Sequence, residues 1–251
     1  MRADKFFAEK FGSRTKAADA IERGLVLING KRVSPSFDVK ESDKIEFIEG
    51  EENYVSRGGF KLSKALRDFD FDPTDKIFAD IGASNGGFTD CLLKHGAKKV
   101  YCIDVGESQL DESLKDKNVV ILDNFNARNL TKDVFAEELD GVVIDVSFIS
   151  LTYILGAVSS VLNDGKCVLA LIKPQFECDE KIKFKGGIVN DKKVHLSVIK
   201  KIYDFALSCN LAPINLTNAP EVKGKNLEYI IHLTKNSKAE ELDKLIAKVK
   251  L

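Results

Sequence analysis

The chain has 251 residues, 44% of them hydrophobic and 31% charged, with a formal net charge of −1. That length suffices for one sizeable core and a small second domain. The apolar run CVLALI at 167–172 is far too short to cross a bilayer, which argues against a spanning helix and a membrane partner. The amphipathic RADKFFAEK after Met1 carries no export signal, so the cytoplasm is the expected location. Five cysteines without a CxxC pair and three dispersed histidines disfavour a disulfide framework or a metal centre, and no metal is expected. Charge is uneven: nine Lys or Arg stand against five acids through Lys40, a basic front suited to holding a polyanion.

In chain order, ADKFFAEKF predicts a short amphipathic helix, and Ser13 can cap a second, RTKAADAIER, that stops at Gly24. LVLINGKRV predicts a hairpin turned at Asn29-Gly30, and SFDVKESDKIEFIEGEENY closes the segment in extended form. From Lys76 strands and helices alternate: KIFADI, GGFTDCLLKH, KVYCIDV, VVILD, DGVVIDV, LTYILGAVSSVL and KCVLALIKP. Such alternation predicts an α/β domain, a mostly parallel sheet with helices on both faces. VHLSVIKKIYDFALSC reads as a helix, PINLTN and LEYIIHLTK as an antiparallel edge hairpin, and SKAEELDKLIAKVK as a final helix with Ser237 and Glu240 in capping-box spacing.

The opening pattern SR…A…I..G.V..NGKRV resembles the small α+β RNA-binding domain of S-four (alpha-L) type. The resemblance implies a domain over residues 1–50 whose Arg2, Lys5, Arg14, Lys16, Lys31 and Arg32, with Arg57 beyond, meet phosphates of folded RNA. DNA is not an expected partner. Residues 51–62, SRGGFK included, read as a joint between this domain and a second one over 63–251, with Gly58 and Gly59 letting it swing.

DIGASNGGFT joins the first strand of the sheet to its first helix, where doubly wound folds bind nucleotides. Ser84 stands where the dinucleotide fingerprint wants its second glycine, so pyrophosphate is disfavoured. S-adenosylmethionine, with an amino group, a sulfonium and a ribose diol, suits the carboxylates present. Asp80 ends the first strand, Asp104 the second and Asp123 the third. The expected cofactor set is these three with Gly82, Ser84, Gly86, Gly87, Phe88 and Thr89. The loop also matches GxSxG, the serine-hydrolase elbow, although it follows what reads as the sheet's first strand and so lacks an earlier one for the oxyanion hole.

DIGASNGGFTDCLL is similar to the cofactor motif of FtsJ-type ribose 2′-O-methyltransferases. VSRGGFKL, DVSFISL, LIKPQFE, KGGIV with His195, and NLEYIIHL together resemble the TlyA family across nearly the whole chain. The resemblance implies a Rossmann-like methyltransferase that uses S-adenosylmethionine on cytidine ribose in ribosomal RNA or a ribosomal subunit. By the short N-terminus, large-subunit RNA is favoured. It also implies a catalytic set of Lys61, Asp145, Lys173 and Glu228. Two other readings remain at this stage: a non-catalytic RNA-binding assembly factor, and the hemolysin of the family's historical label.

Overall fold

The computed structural model describes residues 1–22, 24–47, 54–107, 109–115, 118–178, 185–222 and 224–251. The chain divides into two compact units, Met1–Arg57 and Gly58–Leu251. The first residues of the expected joint lie outside the described set.

In the first unit, helices α1 (Ala3–Phe6) and α2 (Arg14–Glu22) precede strands β1 (Val26–Ile28), β2 (Lys31–Arg32) and β3 (Ile45–Phe47). Ser13 caps α2 as expected, its Oγ accepting from the Lys16 amide at 3.1 Å. The hairpin turns at Asn29 and Gly30, both at positive φ as a tight two-residue turn requires. β1 lies between β2 and β3, antiparallel to both. Ala3, Phe7, Ala17, Ile21, Val26, Ile28 and Val39 fill the small core.

The second unit opens with α3 (Arg57–Asp68), whose first residue closes the unit before. The expected swinging joint is therefore helical from Arg57, and Gly58 and Gly59 lie within its first turn. Leu62, Ala65 and Leu66 are buried along one face. On its other side, Lys64 donates to Thr217 Oγ1 at 3.0 Å and Asp68 accepts from that hydroxyl at 2.5 Å.

Five parallel strands follow: β4 (Ile77–Ile81), β5 (Lys99–Ile103), β6 (Val119–Leu122), β7 (Gly141–Ile144) and β8 (Cys167–Ile172). β9 (Leu211–Asn218) and β10 (Tyr229–Lys235) add the antiparallel hairpin, in spatial order β6-β5-β4-β7-β8-β10-β9. Order reverses about β4, so the crevice for a ligand opens past the carboxyl ends of β4 and β7. β4, β7 and β8 are buried throughout, as strands covered on both faces must be. The covering helices are α4 (Gly87–Lys94), α5 (Glu112–Lys115), α6 (Leu155–Val161), α7 (Pro174–Glu177), α8 (Lys192–Ser208) and α9 (Leu242–Ile246). The expected capping box does not form. The Glu240 amide donates to Pro213 O at 2.8 Å, holding the segment straight beside β9, and α9 starts only at Leu242. Among the described residues, no helix is long and apolar enough to cross a membrane.

Candidate active site

The loop from β4 to α4 is shaped by positive φ at Gly82, Ser84 and Gly86. A side chain at Gly82 would meet the carbonyl oxygen of Asp145 at 2.5 Å, and one at Gly86 would meet Leu110 and Leu114 at 2.6 and 2.5 Å. At Gly82 the obstacle is backbone and only glycine allows the approach, while at Gly86 the leucine ends can give way and it is the φ of +85° that favours glycine. Asp104 braces this loop from the end of β5: Oδ2 accepts from the Ser84 amide and Oδ1 from the Gly106 amide, each at 2.8 Å. Ser84 Oγ donates to Gln109 Oε1 at 3.2 Å. Val105, next to Asp104, is 70% exposed although apolar. Asp123 sits half-buried past β6.

Three residues of the expected cofactor set lie beneath the loop rather than on its open side. Asp80 and Thr89 are fully buried and Phe88 nearly so. Asp80 Oδ2 accepts from the Thr89 amide at 2.9 Å and its hydroxyl at 2.7 Å, tying strand to helix, while Oδ1 is buried without a partner. The reason is the central place of β4, whose two faces are both covered.

Burial pushes the Asp80 carboxyl up to about 7, against the Thr89 donors, and the charges of Asp145 and Asp104 add to the rise. A carboxyl that holds its proton more tightly when folded favours folding at low pH. That contribution is whole below the unfolded value near 3.8 and is lost as pH rises through about 7. Asp80→Asn, which mimics the protonated acid, should gain on the parent chain between pH 4.5 and 7.5, by at most about 4 kcal/mol in urea unfolding. Parallel stability curves for the two proteins would contradict this.

The four expected catalytic side chains stand as two ion pairs. Asp145 follows β7 and Lys173 follows β8. Lys173 Nζ is 2.6 Å from Asp145 Oδ1 and donates to Ser147 Oγ at 2.9 Å. The contact with Asp145 is a close pairing of charges rather than a directed hydrogen bond, since Oδ1 accepts none. Lys61, on α3, donates to Glu228 Oε2 at 2.6 Å, and Gln175 Nε2 reaches Glu228 Oε1 at 3.3 Å. Tyr229 faces Ile172 in the β10–β8 register, so one further step sets Glu228 opposite Lys173. All four are between 10 and 23% exposed, shielded but reachable.

Ser147 and Gln175 were not anticipated from sequence, nor was the stitching behind Glu228. Asn226 accepts from the Val189 amide and donates to Gly187 O, at 2.8 and 2.9 Å. Buried His195 bridges Val189 O at 3.0 Å and the Tyr229 hydroxyl at 2.7 Å. Beside Lys173, Phe148 is 89% exposed at φ +63°, a conformation costly for a bulky residue, with its ring 4.9 Å from that of Phe176.

The seven expected RNA-contacting side chains are all exposed. Arg2 and Arg14 converge on one carboxylate, Asp4, at 2.9 and 3.0 Å, and their hydrogen bonds, that from Arg2 foremost, hold it down at about 2. Arg57 pairs with Glu22 at 3.9 Å.

The sequence profile of the FtsJ-like methyltransferases matches residues 54–235, and that of the S4 domain matches residues 1–45. A protein named Hemolysin A from Brachyspira hyodysenteriae is 43% identical, over 88% of this chain and 93% of its own. A 23S rRNA (cytidine-2′-O)-methyltransferase TlyA from Campylobacter jejuni is 34% identical, over 94% of this chain and 100% of its own. The chain belongs to the TlyA family. Among solved structures, a candidate hemolysin from Streptococcus thermophilus superposes with a TM-score of 0.75 at 35% identity, covering 98% of this chain and 94% of that one. The expected fold is borne out: a Rossmann-like sheet with an antiparallel edge hairpin behind an S4 domain, as in a TlyA chain. TlyA membership also disfavours the hydrolase reading of GxSxG, since residues 82–86 fall within the stretch that matches the FtsJ-like methyltransferases.

Proposed function

We propose that this protein methylates the ribose 2′-hydroxyl of cytidine in ribosomal RNA, with S-adenosylmethionine as donor. The observation that carries the reading is the meeting of two ammonium–carboxylate pairs at the carboxyl edge of the sheet, with Gly82 packed on the backbone of Asp145. The residues fit the donor. Asp104 and Asp123 offer carboxylate oxygens to a ribose diol, exposed Val105 offers an apolar face to a flat base, and the acids around the crevice favour a sulfonium. When bound, that sulfonium supplies an electrophilic methyl group.

The chain's own task is to present and deprotonate a poor nucleophile. Lys173, as the free amine, would take the 2′-hydroxyl proton as that oxygen attacks, and the bound donor would supply the methyl group as its carbon–sulfur bond breaks and the electron pair goes to sulfur. Asp145 and Ser147 fix the amine in place, and Asp145 keeps negative charge beside the crevice. Lys61, gripped by Glu228, sets a second ammonium at the same edge of the sheet and holds α3 against the hairpin beside Lys173. The exposed Phe148 ring, braced on Phe176, gives the target base a surface to stack on. In the S4 unit, Arg2, Lys5, Arg14, Lys16, Lys31 and Arg32 hold RNA phosphates.

The test incubates the protein with methyl-labelled S-adenosylmethionine and separate small and large ribosomal subunits, then maps 2′-O-methylation. Transfer to a cytidine is expected, with the large subunit as the favoured acceptor. Binding of RNA without transfer to either subunit would favour the assembly-factor reading instead.

A further inference from the structure

Behind the crevice, the loops that carry the two halves of the Lys173 pair are joined a second time. Glu177, the last residue of α7, is 3% exposed. Its Oε1 accepts from the Leu151 amide at 2.6 Å, and its Oε2 accepts from Ser150 Oγ at 2.5 Å and Lys201 Nζ at 3.2 Å. Lys201, from α8, also donates to the Glu177 carbonyl at 2.7 Å and to Ser150 Oγ at 3.2 Å. Ser150 in turn caps the single turn Leu151–Tyr153.

Glu177 lies four residues after Lys173, and Ser150 five after Asp145. The loops leaving β7 and β8 are thus laddered by two rungs of opposite sense. At the crevice the β8 loop gives the cation and the β7 loop the anion. Inside, the β8 loop gives the anion, the β7 loop gives an amide and a hydroxyl, and α8 gives the cation. A buried carboxylate carries a large desolvation cost, and apolar packing would hold two loops together as well. What directed bonds add is a fixed distance between loops, and transfer depends on placement to a fraction of an ångström.

We propose that Glu177 is a positioning residue for methyl transfer: by clamping the β7 loop to the β8 loop it sets where the Lys173 amine stands relative to Asp145 and Ser147. The proposal rests on the function proposed above. Glu177→Gln keeps the size but turns an amide N–H toward either the Leu151 N–H or the Lys201 ammonium. We expect its kcat to fall roughly ten- to a hundredfold, with KM for RNA and donor changing less than about threefold. Amide hydrogen exchange should quicken together across residues 145–153 and 173–178. A variant that melts earlier yet keeps parental kcat, or that loosens one loop alone, would overturn the proposal.

Should Glu177→Gln fail to fold, Ser150→Ala leaves the carboxylate bonded to Leu151 and Lys201 and is expected to lower kcat several-fold at constant KM. Unaltered kcat there would equally overturn it. If the parent protein transfers no methyl group, the function reading falls, but exchange in the two loops still decides the clamp. Unchanged exchange in the variant sinks it.

Discussion

Lys173→Ala is expected to lower single-turnover methyl transfer by at least about a thousandfold, with donor and RNA affinity staying within about threefold. General-base catalysis contributes roughly 10²–10⁴ in rate, and loss of the placed amine also forfeits part of the gain from proximity. Lys173→Arg is the sharper variant. A guanidinium can pair with Asp145, yet it does not give up its proton near neutral pH, so it preserves charge and removes the base. Its rate should be as low as that of alanine. An arginine variant within tenfold of the parent enzyme would mean that Lys173 only supplies positive charge, and the base would have to be sought at Lys61.

The second large effect concerns Lys61 and Glu228. Each holds the other at 2.6 Å, one from α3 and one from the edge of the hairpin. Lys61→Ala and Glu228→Gln should each cost about a hundredfold in kcat, and the double variant no more than the worse single, because the pair acts as a unit. Rates that multiply in the double variant would show two independent roles and remove the argument that the pair acts as one. Melting temperatures should shift little in comparison, since an ion pair open in part to solvent contributes modestly to stability.

Much of this site is legible in sequence because a parallel sheet gathers strand ends at one edge. Asp145 and Lys173 each follow an unbroken apolar run, so the fold itself brings them together. The same rule overreaches at Asp80, whose strand is the central one and whose carboxylate is therefore enclosed. Helix α3 was hidden by Gly58-Gly59, which read as a joint, although Leu62, Ala65, Leu66 and Phe69 keep helical spacing. Ser237 and Glu240 have the spacing of a cap, but the bond from Glu240 to Pro213 outcompetes it, and nothing local in the sequence reports so distant a partner. Ser147, Gln175 and Glu177 escaped notice for a related reason. Their partners come from other loops, and a lone polar residue in a loop carries no pattern.

The meeting of Gly82 with the carbonyl of Asp145 sets a limit on redesign. On the proposed mechanism the floor beneath the donor loop and the residue that anchors the base meet at this one contact, so neither can be hollowed out without moving the other. Space for alkyl groups larger than methyl would have to come from the open flank next to Ser147, where Phe148 stands.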